Sequence, residues 1–214
     1  VVIREEEGAM QIIKINTETP QHRLIRLVVD RLREGGIIAY PTDTIYGIGC
    51  DIFQKGAVER LYAIKGKDPN KPLSFLCPNL TDISNYAQVG NQAYKIMRRL
   101  VPGPYTFILE ASRNVPKVML TKHKTVGIRI PDNKICIAMA ELLGNPIITT
   151  SVRDSKDELF TDAEEIAGRI GNLLDIVVDG GRISPHHSTI IDLTGDTPVV
   201  IREGKGDTSI VFED

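Results

Sequence analysis

No tryptophan occurs among the 214 residues, and phenylalanine and tyrosine contribute only 5 and 6. Aliphatic side chains must therefore build most of the core. Cysteine is equally scarce: Cys50, Cys77 and Cys136 form no CxxC pair and leave one over if two join. A disulfide-stapled scaffold is excluded, and reduced thiols in a cytoplasmic protein are expected. No apolar run approaches the roughly 18 residues that a membrane span needs, so no membrane partner is expected. Neither sign of charge prevails: 26 Lys and Arg stand against 28 Asp and Glu, a net charge of −2. No global positive field draws the protein onto nucleic acid, so any such binding needs a local basic patch. The first eight residues carry Glu5, Glu6 and Glu7, unlike a signal peptide. Met10 reads as a start, which makes residues 1–9 an N-terminal extension.

What is present is the balance of a globular chain, 42% hydrophobic and 25% charged. Gln11–Ile15 reads as a short strand, followed by Thr19 as N-cap and Pro20 as first helical residue. Leu24, Leu27, Val28 and Leu32 recur at helical spacing until Gly35 and Gly36 stop them. Ile37–Tyr40 is a buried strand closed by Pro41. Helices are predicted at 55–64, 91–100, 133–143 with Gly144 as its cap, and 163–170. Strands are predicted at 73–76, 105–110, 126–130, 146–150, 175–178, 189–193 and 199–202. Strands and helices intermingle without a dividing linker, which predicts one domain over residues 10–214: α+β with α/β-type mixing, a mixed sheet carrying helices on its faces.

Five polar segments fall where strands end or turns begin. Thr42-Asp43-Thr44-Ile45-Tyr46-Gly47 follows a buried strand, where α/β sheets present ligand groups; a turn stabilised by its own hydroxyls reads equally from the same residues. Gly47 and Gly49 lack the third glycine of a dinucleotide fingerprint. Lys65, Lys67 and Lys71 concentrate three positive charges in seven residues. They suit a polyphosphate, or simply the C-terminal end of a helix and its solvated loop. Arg129 lies inside an apolar strand, an expensive place for a guanidinium unless an anionic ligand or a structural glutamate meets it. Thr149, Thr150 and Ser151, with Arg153 beyond them, put hydroxyls at a strand exit. His186, His187 and Ser188 precede a strand, with Arg202 on the next. Adjacent histidines point apart and no third ligand has metal spacing, so exposed histidines are expected. Without a GxSxG, a serine hydrolase is disfavoured. Taken together, the residues predict a cleft rich in hydroxyls and cations that binds an anion.

In this order the segments resemble the YrdC family of threonylcarbamoyl-adenylate synthases, and within it the YciO branch. The resemblance rests on Pro41–Gly47, Lys65–Lys67, Pro102–Thr106, Val126–Pro131, Ser188–Asp192 and Ile201–Gly204. It implies a YrdC/RibB-like twisted mixed sheet with a positive concave cleft, and a reaction of L-threonine, bicarbonate and ATP to threonylcarbamoyl-AMP and pyrophosphate, in threonylcarbamoyladenosine formation on tRNA. By matching positions, Lys65, Lys67 and Ser151 are the expected catalytic residues. Lys65, Thr125, Arg153 and Arg202 are expected on ATP, and Thr42, Arg129, Ser151 and Ser188 on threonine. Mg²⁺ is expected on the ATP phosphates, with no tightly bound cofactor, and the protein as a monomer or weak dimer. Two positions depart from the family pattern: Lys67 stands for an arginine and Arg153 for an asparagine. A second reading stays open beside the first, that of a non-catalytic or weakly active paralogue binding double-stranded RNA or tRNA on the same cationic face.

Overall fold

A computed structural model describes residues 10–66, 73–81, 83–116, 124–151 and 159–212. Lys67, Lys71 and Arg153 lie outside the described residues. Among the described residues the chain forms eleven strands and five α-helices. The strands are β1 (Gln11–Lys14), β2 (Ile38–Tyr40), β3 (Gly47–Asp51), β4 (Ser74–Leu76), β5 (Ala87–Gln88), β6 (Tyr105–Ala111), β7 (Thr125–Arg129), β8 (Ile147–Ser151), β9 (Ile176–Asp179), β10 (Thr189–Asp192) and β11 (Val199–Arg202). The helices are α1 (His22–Arg33), α2 (Lys55–Lys65), α3 (Asn91–Leu100), α4 (Lys134–Leu143) and α5 (Ala163–Ile170). One mixed sheet runs β1-β9-β2-β3-β8-β4-β7-β6-β10-β11, with β5 paired to β6 off this path.

Residues directly opposite across a strand pair share a face of the sheet, so the register divides the sheet into two faces. One carries Cys50, Ile148, Phe75, Ile128 and Phe107 in a row from β3 to β6. All five belong to one core cluster, into which α2, α3 and α5 turn Leu61, Met97 and Ile166. The other face starts apolar, with Tyr40, Val178, Ile147 and Leu76 packed against Val28 and Leu32 of α1 and Ile135 and Met139 of α4. Farther along the same face the register places Thr149, Ser74, Gly127 and Ile108 opposite one another, outside that cluster. The sheet is thus sandwiched over part of its width and keeps a polar stretch beyond.

Two local expectations change. Helix α1 begins at His22 rather than Pro20. The Asn16 side chain accepts from the backbone N–H groups of Glu18 and Thr19 at 2.9 and 2.8 Å, an Asx turn that holds Thr19 and Pro20 outside the helix. Only the first half of Pro41–Gly49 is a turn. Gly47–Asp51 is a central strand between β2 and β8, and because all five residues are buried it shows no alternation to read. Gly144 does cap α4 in the left-handed conformation, at φ 81°. All three cysteines are buried. His186 is exposed and His187 half-buried. Among the described residues no helix is long and apolar enough to cross a membrane.

Helix α4 is anchored at its start by Asn133, whose side chain accepts from the N–H groups of Ile135 and Cys136. Asn133→Ala is expected to lower stability by about 1 kcal/mol. In urea denaturation the midpoint should fall with the slope unchanged; an unchanged midpoint would mean that the cap contributes nothing.

Candidate functional site

The turn that joins β2 to β3 folds around one hydroxyl. Thr42 Oγ1 accepts from the N–H groups of Thr44 and Ile45 at 3.0 and 3.2 Å and donates to the Ile45 carbonyl at 2.6 Å. The self-capped turn legible in the sequence is therefore present, and it also carries a site. Arg129, the last residue of β7, reaches it through Nη2, which donates to Asp43 Oδ1 at 2.6 Å and Thr44 Oγ1 at 2.7 Å and lies 3.5 Å from Thr42 Oγ1. The Arg129 and Asp43 side chains are only 12% and 7% exposed. The carboxylate expected opposite Arg129 is thus supplied by an aspartate 86 residues away in sequence. Asp43 Oδ2 also accepts from the backbone N–H of Asp132, at 3.1 Å. Arg129 Nε is buried, with no hydrogen-bond acceptor among the described residues.

A second cluster faces this one. Ser188 Oγ pairs with Thr106 Oγ1 at 2.9 Å, and both residues are buried. Arg202 donates from Nε and Nη2 to the Ser188 carbonyl at 3.2 and 2.9 Å, with Nη2 3.3 Å from Ser188 Oγ. Lys205, just past β11, closes the distance between the clusters: its Nζ donates to the Asp43 carbonyl at 2.6 Å. Six strand steps separate β3 from β11 along the sheet, roughly 29 Å if the sheet were flat. A lysine cannot span that, so the sheet curls and the polar stretch lies in a concavity. Among the described residues, Arg129 and Lys205 reach Asp43 there and Arg202 reaches Ser188.

The remaining expected residues lie around these two clusters. Ser151 ends β8 opposite Gly47 and is exposed. Thr125 begins β7, half-buried, on the face that carries Gly127 and Arg129. Lys65 ends α2 with its ammonium shielded from solvent. Thr42 and Arg129 are brought together, as are Ser188 and Arg202. Sequence reasoning assigns no individual site role to Asp43, Thr44, Thr106, Thr149 or Lys205. The first four lie inside segments already marked, where their hydroxyl and carboxylate groups were the available signal. Lys205 carried none.

Behind the turn the site rests on protonated groups. Burial pushes the Tyr40 hydroxyl and the Cys136 thiol well above their usual ranges, with the Asp43 charge adding to the effect on Cys136. Both keep their protons at neutral pH. Tyr40 donates to Thr149 Oγ1 at 2.5 Å, and Cys136 Sγ to the Pro41 carbonyl at 3.2 Å.

An open, curled mixed sheet with hydroxyls and cations in its concavity is the architecture on which these groups converge. Residues 30–204 match the family model Sua5_yciO_yrdC, which carries the description Telomere recombination. The chain belongs to this family. It is 41% identical over 199 residues to Escherichia coli YciO, a protein described as uncharacterized, with 92% of this chain and 97% of that one covered. The crystal structure of E. coli YciO superposes with a TM-score of 0.90 at 40% identity, covering 94% and 99% of the two chains. A threonylcarbamoyl-AMP synthase of Pyrococcus abyssi is 33% identical over 183 residues, 84% of this chain and 54% of that one. The crystal structure of P. abyssi Sua5 complexed with L-threonine matches at TM-score 0.84 and 31% identity, over 90% of this chain and 57% of that one.

Removing Arg129 strands a buried carboxylate. Arg129→Met is expected to cost about 3 kcal/mol of stability. The double variant with Asp43→Asn should recover at least about 1 kcal/mol relative to the sum of the singles. Urea denaturation of the four proteins checks this; additive losses would mean that the pair is not coupled.

Proposed function

We propose that this protein is a threonylcarbamoyl-AMP synthase-like nucleotidyltransferase, converting L-threonine, bicarbonate and ATP to threonylcarbamoyl-AMP and pyrophosphate for tRNA modification in the cytoplasm. The observation that carries the reading is Arg129. Its guanidinium is held by Asp43 and the Thr42–Thr44 turn, yet its buried Nε–H has no acceptor among the described residues. A buried donor without a partner costs roughly 1–3 kcal/mol. A carboxylate entering beside the turn would supply the acceptor, in a charge-assisted bond. Relatives of this chain include threonylcarbamoyl-AMP synthases and a Sua5 crystallised with L-threonine, which supports threonine as the acid.

In this reading Thr42, Ser151 and Ser188 orient threonine around the Arg129 contact. The neutral amine condenses with bicarbonate, the N–C bond forming as a C–O bond breaks and water leaves, and an oxygen of the resulting carbamate attacks the α-phosphorus of ATP. The new P–O bond forms as the bond to the β-phosphate oxygen breaks, and pyrophosphate leaves with both electrons of that bond. Such a displacement depends on positioning and on stabilising charge. Lys65 and Lys67, with Arg153, Arg202 and Thr125, would hold the nucleotide, its Mg²⁺ arriving on the phosphates with several waters.

Pyrophosphate release from ATP should require both L-threonine and bicarbonate; release indifferent to either removes the assignment. Arg129→Lys, which cannot present the same fork, should raise the KM for threonine about tenfold or more and leave the KM for ATP nearly unchanged. The RNA-binding reading draws support from Arg153, which adds a cation where the family pattern has an asparagine, while Lys67 keeps the charge of the arginine it stands for. Its mark would be duplex binding that weakens steeply with salt.

A further inference from the structure

We infer that Lys205 is a positioning residue for the carboxylate-binding site, a strap that fixes the Thr42–Thr44 turn against Arg129. That the bound acid is threonine rests on the reading above; the strap itself rests on the geometry. Gly204-Lys205-Gly206 follows β11 and is bonded at all three residues. Gly204 N–H donates to Thr189 Oγ1 at 3.1 Å, Lys205 N–H to the His187 carbonyl at 2.8 Å, and Thr189 Oγ1 to the Gly206 carbonyl at 2.7 Å.

Both glycines are there because the chain lies too close to its neighbours for a side chain. A Cβ on Gly204 would come 2.4 Å from the His187 carbonyl oxygen, and one on Gly206 2.3 Å from the Tyr105 ring. The backbone on either side of Lys205 is therefore set, and its side chain leaves from a fixed origin. It ends 2.6 Å from the Asp43 carbonyl, 162 residues away in sequence.

That carbonyl belongs to the residue whose carboxylate holds Arg129. The turn is tethered from three directions: Arg129 on the Asp43 side chain, Asp132 N–H on its second oxygen, and Lys205 on its main chain. The first two come from β7 and the loop before α4. Lys205 alone of the three comes from the β11 end, where Ser188 and Arg202 stand. It therefore sets the separation of the two clusters that a ligand must bridge, which neither cluster can do by itself. Lys205 needs no contact with the ligand for this role.

The test compares wild type with Lys205→Met, of similar length without charge, and Lys205→Arg, which keeps the charge. In the ligand-free proteins, amide hydrogen exchange reads the strap directly. Lys205→Met should speed exchange at Thr44 and Ile45, whose N–H groups bond to Thr42, about tenfold, with strands β7 and β8 unchanged and Lys205→Arg close to wild type. Unchanged exchange in the turn overturns the strap, whatever the ligand. Calorimetry with L-threonine then reads its effect on the site: about tenfold weaker binding in Lys205→Met, largely restored in Lys205→Arg. Equal threonine affinity in wild type and Lys205→Met overturns the positioning role even if the strap exists. A wild type that binds no threonine overturns the proposed substrate and leaves the exchange result to decide the strap.

Discussion

Arg129 ends a strand whose neighbours are apolar, and its guanidinium lies almost wholly out of water. A charge in that position costs several kcal/mol unless it is paired and hydrogen-bonded. Asp43 and two threonine hydroxyls meet that requirement, and they can do so only if the β2–β3 turn lies over the end of β7. The turn in turn commits its surroundings. Asp43 takes the Asp132 N–H ahead of α4, and the Pro41 carbonyl takes the Cys136 thiol from within that helix. The placement of α4, the curl of the sheet and the hydroxyl-lined cleft all meet at this one ion pair.

The cleft is what remains after the apolar surface has been covered. Helices α1 and α4 pack where the sheet shows Tyr40, Val178, Ile147 and Leu76. They go no farther, because a helix laid over Thr149, Ser74 and Thr106 would have to supply partners for every hydroxyl it dried. Glycine keeps the floor of this region low: a Cβ on Gly127 would come 2.6 Å from Ser74 Oγ. Stability and binding are thus divided between two parts of one face by side-chain polarity.

Much of this division is legible in the residues. The spans of α3, α5 and β11 follow from periodicity and from their flanking residues, and Gly144 marks the end of α4 because a left-handed residue is needed there. Strand β3 is not legible, since Gly-Ile-Gly-Cys-Asp is buried throughout and has neither alternation nor strong β-formers at its glycines. The start of α1 is misplaced because a favourable Thr-Pro signal loses to an Asx turn formed three residues earlier. In the site, a strand-borne arginine announces that it needs an acid, but its choice of Asp43 over any glutamate depends on how far the sheet curls. That curl is a property of the whole sheet, and so is the reach of Lys205.

Charge and depth together weigh on the choice of ligand. Phosphates of a nucleic-acid duplex are met by exposed cations that release counterions on contact. Arg129 Nε is not such a group: it is buried, and among the described residues nothing accepts from it. Among the described residues, Arg129 and Lys205 are bonded to Asp43, and Arg202 to Ser188. In the proposed reading a carboxylate at Arg129 and phosphates nearer Arg202 would use these groups at two separate places. A small ligand with two anionic ends, as the proposed threonylcarbamoyl-AMP has, would meet both clusters at once, with a charge-assisted bond at the buried donor.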